Sequence, residues 1–173
     1  MIHRNILVVD DASDWRDLFQ SSLQRSKYRV DTAANLKEAL ERLIQNNIEL
    51  VIVDLRLDLI DEDNRDGMAL LKELNRRSIN ALVVTGYGTA ALQREAKALE
   101  CITFISKTSI GHNGNKLKKI VNEIFAEIES RDRIRTKLTE DFVRGKPIGY
   151  PAEAAGYPLR ESLSKKVEAV LED

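Results

Sequence analysis

An open α/β fold built on a parallel sheet is what this sequence predicts, on three observations. Short apolar runs recur at Ile6-Leu7-Val8-Val9, Leu50-Val51-Ile52-Val53, Ala81-Leu82-Val83-Val84 and Ile102-Thr103-Phe104-Ile105-Ser106. Runs of this length, rich in Val, Ile and Leu, read as strands buried on both faces. Helix-length amphipathic stretches separate them, the alternation expected of strand–helix–strand units. Each run also ends on residues that can do chemistry: Asp10 and Asp11, Asp54, Thr85 and Lys107. Ligands of open α/β sheets bind just beyond the carboxyl ends of the strands. Three carboxylates, a hydroxyl and an ammonium therefore converge on one pocket.

The remaining elements follow in order. Ser13 is placed to cap a helix from Asp14 to about Ser26, with Trp15, Leu18, Phe19 and Leu23 at helical spacing. Residues 28–33 read as a second strand with one wetter face, since Arg29 and Asp31 alternate with Tyr28 and Val30. Asn35 caps a second helix whose apolar positions are Leu36, Ala39, Leu40, Leu43 and Ile44. Asp66-Gly67 opens the third helix and Thr89 caps the fourth. A fifth helix begins near Lys116 and buries Ile120, Val121, Ile124, Phe125 and Ile128. That face then fails: Arg131 and Arg135 fall in phase, while Ile134, Leu138 and Phe142 form a stripe out of register. The expected division is therefore a domain over residues 1–128 and a mainly helical extension over 129–173. The extension reads as helix to about Val143, then a Gly/Pro loop with Gly149-Tyr150-Pro151 and Gly156-Tyr157-Pro158, then a helix from about Arg160. Leu163, Val167, Val170 and Leu171 share one face of that last helix, as a docking helix requires.

Composition narrows the class. A length of 173 residues suits one ordinary domain with an appendage, and 43% hydrophobic residues provide its core. The net charge of −1 gives no overall bias toward nucleic acid or membrane. Cys101 is the sole cysteine, which excludes an intramolecular disulfide and fits a reducing compartment. The N-terminal residues run straight into the first strand rather than forming a signal peptide, and no apolar stretch approaches the roughly 20 residues of a membrane span. A cytoplasmic location without membrane contact is expected.

The ordered set Asp10-Asp11, Asp54, Thr85 and Lys107 resembles the receiver domain of two-component response regulators, the chemotaxis regulator among them. The resemblance implies a flavodoxin-like, doubly wound five-stranded sheet of order 2-1-3-4-5, with the second strand at an edge. It implies Asp54 as phosphoacceptor in a phosphorelay, fed by a sensor histidine kinase or a phosphotransfer protein. It implies Mg²⁺ (or Mn²⁺) held by Asp11, Asp54 and the backbone carbonyl of Arg56, with Asp10 acting through a water. Clustered carboxylates repel one another and raise at least one pKa, which a hard divalent cation relieves. By the same resemblance, Lys107 pairs with one phosphoryl oxygen and Thr85 donates to another. Thr85 and the aromatic on the last strand, Phe104, would switch together, although an ordinary core Phe is an equal reading of that position. Arg56 and Tyr87 occupy the two positions that tune dephosphorylation, and their bulk predicts a slow loss of phosphate. The output is a population shift on the face of the fourth helix, fifth strand and fifth helix, met by a downstream protein or a second copy. On this reading the chain is no enzyme beyond promoting its own phosphorylation and dephosphorylation.

Some features depart from the family pattern. Receivers usually carry a proline after the conserved lysine, whereas Thr108 follows Lys107 here. A cis bond without proline costs about 3 kcal/mol, so a trans bond is expected. The stretch from Leu55 to Asp66 is long and acidic, with Asp58, Asp61, Glu62, Asp63 and Asp66. It is no EF-hand: counted from Asp61, the glycine position holds Asp66 and the final glutamate position holds Lys72. Gly86-Tyr87-Gly88 lacks the third glycine of a dinucleotide fingerprint, and His3 and His112 have no ligand spacing, so neither a nucleotide nor a histidine metal site is expected. From Glu129 onward nine basic residues balance nine acidic ones, which is not the footprint of a nucleic-acid binder. A single-domain regulator acting through protein contacts is therefore expected. A constitutive scaffold and a transcription regulator with a reduced C-terminal effector are the alternatives.

Overall fold

The computed structural model describes residues 4–24, 28–58, 60, 61, 63–112, 114–145 and 159–172, with side chains 138, 141, 142 and 159–162 outside that description. The expected Gly/Pro loop, Ser26, His3, Glu62 and the side chains of Leu138 and Phe142 lie outside the described residues. Five parallel strands form one sheet: β1 (Arg4–Val9), β2 (Tyr28–Ala33), β3 (Leu50–Val53), β4 (Asn80–Thr85) and β5 (Phe104–Ser106). Their order is β2-β1-β3-β4-β5, as expected from the resemblance. The central strands β1 and β3 are buried on both sides, which is why they read as unbroken apolar runs. The edge strand β2 keeps an alternating pattern.

Register decides what the strand ends deliver. Val9 lies opposite Val53, so Asp10 and Asp54 leave the sheet side by side. Thr85 lies opposite Ser106, which brings Lys107 in beside it. Ile102 and Thr103 continue the β4 pairing, through Ile102 N–H to the Ala81 carbonyl at 2.7 Å and Val83 N–H to the Thr103 carbonyl at 3.0 Å, although the regular strand begins at Phe104.

The helices are α1 (Ser13–Gln24), α2 (Leu36–Gln45), α3 (Asp66–Arg76), α4 (Ala90–Ala98), α5 (Lys107–Ile110), α6 (Asn115–Val143) and α7 (Leu159–Glu172). Asn35 caps α2 as expected: its side chain accepts from Glu38 N–H at 2.9 Å, and the Glu38 carboxylate accepts from Ala34 N–H at 2.9 Å. Thr89 caps α4 by accepting from Leu92 N–H at 3.2 Å. The α1 cap differs from expectation. Ser13 is the first helical residue, and the Ala12 carbonyl accepts from Arg16 N–H at 3.2 Å. The Asp10 carboxylate takes Ala12 N–H at 3.1 Å, so the acid supplies the turn's acceptor. Ile44 is also a correction: it is 74% exposed, because the buried stripe of α2 centres on Ala39 and Leu43, with Leu36 and Leu40 packed at its edges. The four-residue α5 is an element that the sequence reading lacks, so the expected fifth helix is α6.

Two compact units make up the chain, Met1–Lys118 and Lys119–Asp173. In the first, Val9, Val51, Val53, Leu70, Leu74 and Val83 belong to the core. In the second, α6 runs without a break past residues 128–130, and Leu163 and Val167 of α7 are fully buried. Lys166 of α7 reaches Glu127 of α6 at 2.9 Å, and Arg131 reaches the same carboxylate at 3.3 Å. Those two cations, Lys166 first, hold Glu127 below the usual carboxylate range. Among the described residues no helix is long and apolar enough to cross a membrane.

Candidate functional site

The site begins with backbone. Asp54 N–H donates to the Val9 carbonyl at 2.9 Å, and Asp10 N–H to the Ala33 carbonyl at 3.2 Å, so both acids are held by the sheet they terminate. Asp10, Asp11 and Asp54 each present a carboxylate oxygen, all within 4.8 Å of one another. Asp10 and Asp54 are buried, and Asp11 is half-buried. The Lys107 Nζ lies 2.6 Å from Asp10 Oδ2 and 2.6 Å from Asp54 Oδ2. The Thr85 hydroxyl donates to Asp54 Oδ1 at 2.6 Å and accepts from Tyr87 N–H at 3.2 Å. Arg56 N–H also reaches Asp54 Oδ1, at 3.3 Å.

Three carboxylates facing one ammonium leave an excess of negative charge. Burial pushes the Asp10 carboxyl up to about 6, against the opposing hydrogen bond and charge of Lys107. Oxygens on opposite sides of a Mg²⁺ ion stand about 4.2 Å apart, twice its bond length, so a cluster within 4.8 Å needs only small adjustment. An all-carboxylate donor set also suits a hard cation rather than zinc or copper. The residues present fit the cation.

Other named residues stand one layer out. Tyr87 is half-exposed and lines the acidic cleft of about 540 Å³, along with Asp11, Trp15, Asp54 and Lys107. His112, which has no ligand spacing in the sequence, lines the same cleft. The Arg56 guanidinium stacks 3.4 Å from the Tyr87 ring centroid, and its Nε has no partner among the described residues. Its side chain lines a neighbouring cleft with Asn64, Arg65 and Met68. Phe104 is partly buried against the core. A Cβ at Gly88 would stand 2.7 Å from its ring, so the β4–α4 loop presses on Phe104.

Three residues escape a sequence reading. Arg16 Nη1 donates to the Asp10 carbonyl at 2.6 Å and the Asp11 carbonyl at 2.8 Å, pinning the turn that aims both acids. The only hint was a cation one helical turn after an acid pair. Trp15, read as part of an apolar face, has the Lys107 Nζ 5.2 Å from its ring centroid. Gly67, read only as a helix start, packs directly on the backbone of Asp54 and Leu55.

Residues 6–122 match the response regulator receiver domain family. The chain belongs to that family. Its receiver is similar to the sporulation initiation phosphotransferase F of Bacillus subtilis (strain 168), 28% identical over 109 residues that cover 62% of this chain and 84% of the relative. It is similar to the transcriptional regulatory protein ZraR of Klebsiella oxytoca, 27% identical over 96% of this chain but only 34% of that protein. In fold, the crystal structure of a CheY-like receiver domain protein from Methanospirillum hungatei JF-1 superposes with a TM-score of 0.65 at 24% identity, covering 75% of this chain and 98% of that one. The receiver therefore accounts for the sheet and the acid cluster.

Proposed function

We propose that Asp54 accepts a phosphoryl group in a Mg²⁺- or Mn²⁺-dependent reaction, and that the modified receiver switches protein contacts without a DNA-binding effector in this chain. The observation that carries this reading is the double hold on Asp54: Thr85 on one carboxylate oxygen and Lys107 on the other. An Asp54 oxygen attacks phosphorus, the bond from phosphorus to the donor breaks, and the donor keeps the electron pair. Asp11, Asp54 and the Arg56 carbonyl would hold the cation, with Asp10 acting through a water. When bound, the cation offsets the charge of the phosphoryl oxygens. Lys107 then moves from the carboxylates to one of those oxygens, and Thr85 turns its hydroxyl from Asp54 to another. Tyr87 N–H is bonded to that hydroxyl, and Gly88 next to it presses on Phe104, so the turn of Thr85 reaches the faces of α4 and β5. The donor is a histidine kinase or a phosphotransfer protein. The receiver extends to about residue 128, and the helical extension beyond it, with a second copy or a downstream protein as partner, serves output in the cytoplasm.

Intact mass after incubation with Mg²⁺ and a small acyl-phosphate donor tests the acceptor. One added phosphate is expected, and none without the cation or in Asp54→Ala. An adduct that persists in Asp54→Ala places the chemistry elsewhere. The decay of that adduct tests shielding. Tyr87 lines the cleft and Arg56 braces it from behind, through a stack worth about 0.5–2 kcal/mol. Tyr87→Ala should shorten the phosphoryl lifetime several-fold (about 5-fold, on the scale of that stack) and Arg56→Ala less. Unchanged lifetimes in both would remove the shielding role.

A further inference from the structure

The Lys107 ammonium has two claims on it besides solvent. It bridges Asp10 and Asp54 at 2.6 Å each, and it stands over the face of Trp15, 5.2 Å from the ring centroid. That distance lies inside the range of a cation–π attraction. The ring is firmly set: its centroid is 5.4 Å from that of Phe19, which is buried, at an interplanar angle of 52°. The adjoining Arg16 is tied to the Asp10 and Asp11 carbonyls. On the other side of the lysine, no proline shapes the backbone. Thr108 follows it, and Ser106 caps the short α5 by accepting from Thr108 N–H at 3.3 Å.

From this geometry we infer that Trp15 is a positioning residue for Lys107, giving the ammonium a wall to rest against when a divalent cation draws on the Asp10 and Asp54 carboxylates. The inference rests on the reading of the three carboxylates as a cation site. Lys107 and the cation both draw on the Asp10 and Asp54 carboxylates, so binding requires the ammonium to yield contact. An aromatic face beside it keeps the displaced charge inside the cleft, where it can meet a phosphoryl oxygen. Without that face the ammonium stays on the carboxylates and competes.

The test is calorimetric titration of Mg²⁺ into the wild type, Trp15→Leu, Trp15→Phe, Lys107→Met and the Trp15→Leu/Lys107→Met double variant. Trp15→Leu should weaken Mg²⁺ binding by about fivefold, within the range a cation–π contact supports, and Trp15→Phe by less. On the Lys107→Met background the tryptophan substitution should have no further effect. An equal loss on both backgrounds makes Trp15 a mere wall of the cleft, and no loss on either removes its role; both overturn the inference. Urea denaturation of the wild type, Trp15→Leu, Lys107→Met and the double variant in chelator reads the pair without metal. There, non-additive midpoints are expected, and additive ones overturn the coupling. If the wild type binds no Mg²⁺, the cation reading fails by itself, and the metal-free cycle still decides whether Trp15 acts on Lys107.

Discussion

Lys107→Met is expected to destabilise the metal-free protein by about 3 kcal/mol at pH 8, and by clearly less at pH 5. Removing one partner of a buried ion pair costs roughly 3–5 kcal/mol, because the other charge is left without compensation. Here two buried carboxylates, Asp10 and Asp54, lose their shared ammonium. The pH dependence follows from Asp10, which burial already raises from 3.8 to about 6. Below pH 4 the carboxyl is protonated in both the folded and unfolded protein, and it costs nothing. Between about pH 4 and 6 the folded protein keeps a proton that the unfolded chain has released, so stability falls as pH rises through that window. In the variant, both opposing effects of Lys107 on Asp10 are gone, and the window extends upward. Urea denaturation from pH 5 to 8 in chelator measures it. Added Mg²⁺ should restore stability by mass action on the folded state. A deficit that grows on acidification would contradict this account of the cluster.

The parts of this molecule that were legible in the sequence are those set by local or periodic forces. Central parallel strands are buried on both faces, so Leu50–Val53 announces itself as an apolar run, and the residue after it is delivered to the site by register alone. The caps at Asn35 and Thr89 use side chains three residues from their partners, within reach of a sequence motif. Ser13 failed as a cap because the helix begins one residue earlier, with the Ala12 carbonyl taking Arg16 N–H, while the Asp10 carboxylate holds Ala12 N–H in the turn before it. Ile44 failed because periodicity fixes the centre of an apolar stripe more firmly than its edge, and Ile44 turns out to solvent. A four-residue helix such as α5 is too short to show periodicity at all. Around Asp54, the acids, Thr85 and Lys107 come together as their positions at strand ends imply. What orders them does not show in the sequence, because the Arg16 tether, the Trp15 face and the Arg56–Tyr87 stack are contacts through space between separate elements or within a turn.

Gly67→Ala is the sharpest probe of how α3 supports the strand that delivers Asp54. On helix propensity alone, alanine would be favoured over glycine by about 0.5–1 kcal/mol. Packing outweighs that. A Cβ at Gly67 would stand 2.3 Å from the Asp54 carbonyl oxygen, 2.5 Å from Leu55 Cα and 2.6 Å from the Leu55 carbonyl oxygen. All three are backbone atoms with no rotamer to change, and the Asp54 backbone is tied to Val9 at 2.9 Å. The helix must therefore back away, loosening the buried Met68, Leu70 and Leu71 behind it. Overpacking of this kind costs about 1–3 kcal/mol or more, so a net loss near 2 kcal/mol is expected, together with slower phosphoryl uptake as Asp54 shifts. Gly86→Ala is the matched control, because its nearest neighbour would be Lys107 Cδ at an ordinary 3.9 Å. Denaturation midpoints of the two variants, read beside the mass adduct, separate a strand-end clash from a general intolerance of alanine. Equal midpoints would mean that α3 does not hold Asp54 in place.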